Sequence, residues 1–128
     1  MAAFLGTSTR RLSVFLAVGA RGLAGLQCLG GAVLIARPRA ITQVVGGASP
    51  PTPLVRLLGA RMLAQGVVES LRPTRGVILG GAGVDAAHAV SMLAAAARYP
   101  EYRRAALASA AAASVAAAFG TALVRSGR

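Results

Sequence analysis

Apolar positions along this chain run in long blocks instead of alternating with polar ones. Block 105–124 is free of charge and has the roughly twenty residues that an α-helix needs to cross about 30 Å of hydrocarbon. Arg103, Arg104 and Arg125 bracket it. Three further blocks predict helices at 12–36, 54–71 and 76–97, and each of these carries ionisable side chains. The first holds Arg21, the second Arg56, Arg61 and Glu69, and the third Asp85 and His88. The segments between them are turn chemistry. "GGASPPTP" (46–53) is a loop, "RPTR" (72–75) is a tight proline turn, and "RYPEYRR" (98–104) ends a helix before Pro100. No stretch alternates apolar with polar for long, which argues against strands. The pattern predicts an all-α protein: a four-helix transmembrane bundle, up-down-up-down, forming one integral membrane domain over residues 1–128.

Composition supports lipid as the solvent. The mean hydropathy is +0.65 and 13% of residues are charged, where soluble domains carry about 25%. Aromatics make up 4% and Trp is absent. The apolar surface is therefore Ala, Leu, Val and Gly, which lets helix backbones approach closely. The net charge of +11 comes entirely from arginine. These arginines are dispersed at the block ends, with no long basic run and no basic patch interleaved with aromatics, so nucleic acid is not the expected partner. Flanking arginines instead suit anionic lipid headgroups. The wealth of Ala, Gly and Arg points to a GC-rich genome and a bacterial plasma membrane. Tyr99 and Tyr102 fall where interfacial tyrosines are expected.

Orientation is balanced. Arg10, Arg11, Arg72, Arg75, Arg125 and Arg128 belong to one side, and Arg37, Arg39, Arg56, Arg98, Arg103 and Arg104 to the other. The positive-inside rule does not choose between them. The N-terminal stretch, rich in Arg, Ser and Thr and free of acid, has the look of a transit peptide. However, no acid appears before Glu69, so that feature is not local to a presequence. A mature first span is the expectation.

Counted at 1.5 Å per helical residue from the N-terminal side, Arg21, Arg61, Asp85 and His88 all fall roughly 13 to 18 Å deep. Charges at mid-membrane turn inward and pair, because an isolated one costs at least about 2.5 to 3.5 kcal/mol. The expected intramembrane cluster is Arg21, Arg61, Glu69, Asp85 and His88, with both arginines paired to acids. Asp85 and His88, three positions apart, share a helix face. Two readings compete for it: an interhelical clasp fixing register, or a proton relay or binding site for a small polar molecule. "GARGLAG" (19–25) and "GARMLAQ" (59–65) echo one another, which would place the two arginines at similar depth.

Other chemistries lack their partners. The lone Cys28 excludes an internal disulfide and a CxxC site. One histidine with few carboxylates is short of a metal set, and no haem-attachment motif occurs. His88, Asp85 and Ser91 lie close in sequence but without a G-x-S-x-G elbow. No catalytic activity, metal or cofactor is expected. Gly76 and Gly80 form a G-x-x-x-G pattern that, with Ser109, Ala113 and Ala117, predicts faces for close helix packing, within the bundle itself or against a partner.

Two stretches carry a family resemblance: "RLLGARMLAQG" (56–66) and "GVDAAHAVSMLAAAARYPEYRRAAL" (83–107). They resemble small four-helix membrane proteins of actinobacteria and, more distantly, DoxX-like membrane proteins. The resemblance implies the architecture, with Arg56, Arg61, Gly66, Asp85 and His88 at recurrent polar or glycine positions. DoxX-like proteins are associated with quinone-linked or envelope redox chemistry, and the missing cysteine pair keeps that activity from carrying over. The leading expectation is a structural or accessory subunit of a membrane or cell-envelope assembly, bound to lipid and to other copies or another membrane protein. The alternative is a small proton-coupled transporter or channel-like protein using the Arg/Asp/His cluster.

Overall fold

The computed structural model describes the backbone of residues 2–126 and the side chains of residues 14, 15 and 17–126. Arg10, Arg11 and Arg128, counted above among the flanking charges, lie outside the described side chains. The described residues form helices and no strands: α1 (Ala2–Ala36), α2 (Ala40–Val45), α3 (Thr52–Leu71), α4 (Arg75–Arg98), a short 3-10 helix (Pro100–Tyr102) and α5 (Arg103–Ser126). Three segments among them are long and apolar enough to cross a membrane, Ala17–Ala36, Arg75–Arg98 and Pro100–Ser126. Helix α3, with Arg56, Arg61 and Glu69, is not among the three. Within the predicted loop after α1, "AITQVV" closes into α2. The turn beyond it needs glycine, since Gly46 and Gly47 take φ of 74° and 95°.

The four long helices associate as two hairpins, α1 on α3 and α4 on α5. In the first, the backbones touch: a Cβ on Gly59 would stand 2.7 Å from the Gly31 carbonyl oxygen, and one on Gly66 2.7 Å from that of Ala24. Rising numbers on α1 thus meet falling numbers on α3, and the pair is antiparallel. The second hairpin has the same sense, Gly120 lying on Ala82 and Ile78 and His88 meeting Ser109. The hairpins join at the N-terminal end through Ala20, Ile78 and Val124. Most buried positions on each long helix are spaced by four, by three or by their sum of seven: 20, 24, 27, 31 and 34 on α1; 55, 59, 66 and 69 on α3; 78, 82, 85, 89 and 96 on α4; 106, 110, 113, 120 and 124 on α5. This is the seam of helices packed along a 3.5-residue repeat.

The polarity of the packing is inverted relative to a water-soluble domain. The buried seam is mostly alanine and glycine, while Leu26, Leu29, Leu57, Val90 and Val115 face outward at about two-thirds exposure, from 67% to 69%. Small residues buy no hydrophobic stabilisation in water but permit close backbone contact in hydrocarbon, where large apolar side chains favour the lipid side.

Several expectations need correction here. Gly76 and Gly80 do not pack within the fold, since a Cβ on either meets nothing within 4 Å; the α4 glycine that does pack is Gly81, held against Glu69. Ala113 is buried, and Ser109 and Ala117 are half-buried. Arg21 is exposed. The stripe 20–24–27–31 faces the other helices, and a residue one past Ala20 is turned about 100° away. The sequence echo therefore marks no structural equivalence, because Arg61 turns inward where Arg21 turns out. Finally, Arg75 Nη2 donates to the Val124 carbonyl oxygen at 2.9 Å, capping the end of α5 with a cation where its dipole is negative.

Candidate functional site

Between the hairpins runs a file of polar side chains. On α3, Arg61, Gln65 and Glu69 are four residues apart and so share one face. Opposite them, Asp85 of α4 is 5% exposed, Gln27 of α1 is also 5% exposed, and Glu69 is 2% exposed. Arg61 Nη2 donates to Asp85 Oδ1 at 2.8 Å and to Gln65 Oε1 at 3.1 Å. The second oxygen, Asp85 Oδ2, accepts from Gln27 Nε2 and from Gln65 Nε2, each at 3.1 Å. Gln65 Nε2 also donates to Glu69 Oε1 at 3.1 Å. Gln65 is the hub, since its amide touches a guanidinium and both carboxyls.

Of the expected cluster, the structure thus joins Arg61 and Asp85 directly and reaches Glu69 through Gln65. Arg61–Asp85 is the one ion pair among the described residues; the expected pairing of Arg21 with an acid is corrected. Ala24 and Cys28 of α1 lie against Gly66, so the antiparallel register sets Arg21 level with Glu69, two residues from the end of α3. That is near the end of the hairpin, where the exposed Arg21 side chain is free to extend outward. Asp85, ten residues from Arg75, and Arg61, ten from Leu71, each lie about 15 Å inside. Sequence reasoning missed Gln27 and Gln65. Gln27 was findable from its place in the 4-3 stripe of α1, and Gln65 from its spacing midway between Arg61 and Glu69.

His88 stands apart from the file. Its Nε2 shares a hydrogen bond of 2.9 Å with Ser109 Oγ on α5. Ser91, the nearer serine in sequence, donates instead to the Ala87 carbonyl. A Ser–His contact is one element of nucleophilic catalysis. Here Asp85 is bound to Arg61, and both His88 and Ser109 sit inside helices whose backbone N–H groups are already spent within the helix. Cys28 is packing, its Sγ 3.9 Å from the Leu63 carbonyl and against Gly66.

Toward the end opposite the N-terminus the hairpins separate around a cavity of about 600 Å³. Leu34, Val55, Leu58, Met92 and Ala106 are among its apolar walls, and Ile41 of α2 with Pro50 and Pro51 forms one end. Arg61, His88 and Ser109 lie at the inner end, and Tyr99 and Tyr102 at the outer. From Tyr99 to His88 the cavity follows α4 for about 16 Å. Its apolar walls with few convergent polar groups match a small-molecule site, and its volume falls within the ~300–1,000 Å³ of such sites. Arg61 belongs to both features, so the polar file that runs from Glu69 adjoins the apolar cavity that extends toward the tyrosines.

Comparison with known proteins adds no relative: no protein-family model matches the chain, and neither does any curated protein or solved structure.

Proposed function

We propose that the chain is a four-helix, up-down-up-down transmembrane bundle of the bacterial plasma membrane that acts as a small carrier for a molecule with an apolar body and a polar head. The observation that carries this reading is the apolar cavity between the hairpins, closed at mid-depth by Arg61, His88 and Ser109. The inverted packing, with leucine and valine outward and alanine and glycine inward, supports lipid as the surroundings. In this reading α3 spans as well. Its Arg61 and Glu69 are shielded by α1 and α4, while Arg56 lies four residues from Thr52, near the boundary. The polar head meets His88, Ser109 and the edge of Arg61, and the apolar body extends toward Tyr99 and Tyr102. The file behind Arg61 supplies groups that can hold and pass a proton, which makes coupling to protons the natural energy source. No covalent step is proposed.

The test is occupancy. Full-length protein in lipid nanodiscs, released into native mass spectrometry, is expected to carry a small-molecule adduct. Ala106→Trp, which fills the cavity from α5, should lower the adduct at least tenfold. Wild-type protein free of any adduct, or equal occupancy in the variant, would remove the carrier reading.

A second reading, a packing subunit of a membrane assembly, is favoured by an outer groove between α4 and α5. It is lined by Ala82, Gly83, Ala86, Ala117, Thr121 and Ala122 among others, and a Cβ on Gly83 meets nothing within 4 Å. In this reading Gly83→Leu leaves the fold intact but shifts the particle to a smaller size in mild detergent, by light scattering. An unchanged mass would count against it. If instead no second chain covers α4, Gly76→Ala and Gly80→Ala are expected to raise stability by up to about 1 kcal/mol each through helix propensity alone, read in a thermal melt.

A further inference from the structure

Two oxygens in the buried file have no hydrogen-bond partner among the described residues: Glu69 Oε2 and Gln27 Oε1. Their residues are 2% and 5% exposed. Both belong to one connected network, because Gln27 Nε2 and Gln65 Nε2 meet at Asp85 Oδ2 and Gln65 Nε2 continues to Glu69 Oε1. The network lacks donors, and it also lacks charge. Arg61 is matched by Asp85, so an ionised Glu69 is one negative charge in excess, buried where an unmatched charge is expensive. One positive unit at Glu69 removes the excess charge and supplies the missing partner of Oε2.

Space selects its identity. The carboxyl of Glu69 is wedged against the α4 backbone, and a Cβ on Gly81 would collide with Glu69 Oε1 and approach Gln65 Nε2 to 3.0 Å. A hard metal cation asks for about six oxygens, and the network leaves two free. A proton needs one oxygen and converts that acceptor into a donor.

We propose that Glu69 is a proton-binding site: its carboxyl carries an exchangeable proton on Oε2, with Gln65 linking that carboxyl to the Arg61–Asp85 pair at the cavity. The reaction is Glu–COOH to Glu–COO⁻ plus a proton delivered toward the boundary where α3 ends. The ionisable groups around it are few. On α3, Arg61 is bound to Asp85. On α4 there are Asp85 itself and His88, the latter engaged with Ser109. On α1, Arg21 is level with Glu69 but exposed, and Cys28 packs on Gly66. Arg72, Arg75 and Arg125 are exposed at the helix ends on that side. Loss of the proton leaves the Gln65 amide between two carboxylates, which pulls on the hydrogen bond that Gln65 Oε1 accepts from Arg61. The inference extends the carrier reading by naming the coupling group, and it is tested without transport.

The chain has only three acidic side chains, Glu69, Asp85 and Glu101, so the infrared carbonyl stretch of a protonated carboxylic acid can be assigned by substitution. Full-length protein in lipid bilayers at neutral pH is expected to show that band, moved to lower frequency in heavy water, lost in Glu69→Gln and kept in Glu101→Gln. Absence of the band from wild type, or its survival in Glu69→Gln, would overturn the proposal. Absence of the band from wild type overturns the proposal even if a variant fails to fold. As a second measure, Glu69→Gln supplies an N–H donor in place of O–H and should melt near wild type. A melting temperature raised by sodium over choline in wild type but not in Glu69→Gln would overturn the proposal in favour of a metal ion. A band present in protein without any adduct would sink the carrier and leave the proton site standing.

Discussion

Asp85→Asn is expected to destabilise the folded protein by about 3 kcal/mol, at the lower end of the range for breaking a buried ion pair. The lower end applies because the Arg61 side chain retains 27% exposure and can recover some solvation or reach the cavity. Three donors converge on the Asp85 carboxylate: Arg61 Nη2, Gln27 Nε2 and Gln65 Nε2. Asparagine keeps one carbonyl oxygen and turns an NH2 toward groups that are themselves donors, so at least one contact becomes repulsive. The loss should be largely local to the pair. The double variant Arg61→Gln with Asp85→Asn removes both charges and is expected to recover about half of the stability. Chemical unfolding in bicelles reads both. Equal losses for the single and the double variant would show that the pair itself contributes little and that Gln27 and Gln65 hold the hairpins together.

The second large effect belongs to the α1–α3 contact. Gly59→Val and Gly31→Val are each expected to cost about 3 kcal/mol, the upper range for overpacking, and to separate the first hairpin before the second. At Gly31 the new Cβ would lie 2.5 Å from the Gly59 carbonyl oxygen and 2.7 Å from the Leu63 nitrogen. These are backbone atoms inside helices, which cannot swing aside as a side chain tip can. Gly19 is the internal control. There a Cβ meets only the tip of Leu123, which has other rotamers, so Gly19→Ala should cost far less. Cysteine pairs across each hairpin, followed by crosslinking during unfolding, distinguish separation of α1 from α3 from global loss. Indifference to Gly59→Val would mean the backbones are farther apart than the contacts here require.

The helices were legible from the linear pattern because helix ends are local events. Pro51, Pro73 and Pro100 and the arginine pairs stop or flank each block, and all four expected blocks lie within long helices. Boundaries moved most on α1, which starts at Ala2, since nothing in the local sequence separates an interfacial turn from a spanning one. Helix α2 escaped notice because its short "AITQVV" run has no cap signal, and Thr42 fixes it by contacts to the Arg39 carbonyl and Ser49, each at 2.9 Å.

What the residues by themselves determined is where charge and bulk occur along the chain: apolar blocks of spanning length, arginines at their ends, and a few ionisable groups inside them that must find partners. Which groups became partners was decided only by the tertiary structure. Partnership depends on helix rotation and on register: glycine contacts such as Gly31 on Gly59 set it within the first hairpin, and Ala20, Ile78 and Val124 join the two hairpins, all far apart in sequence. A turn of about 100° sent Arg21 outward and brought Gln27 to Asp85. The same register left the cavity where the hairpins part, a void that belongs to no single helix and so has no signature in any one stretch of sequence.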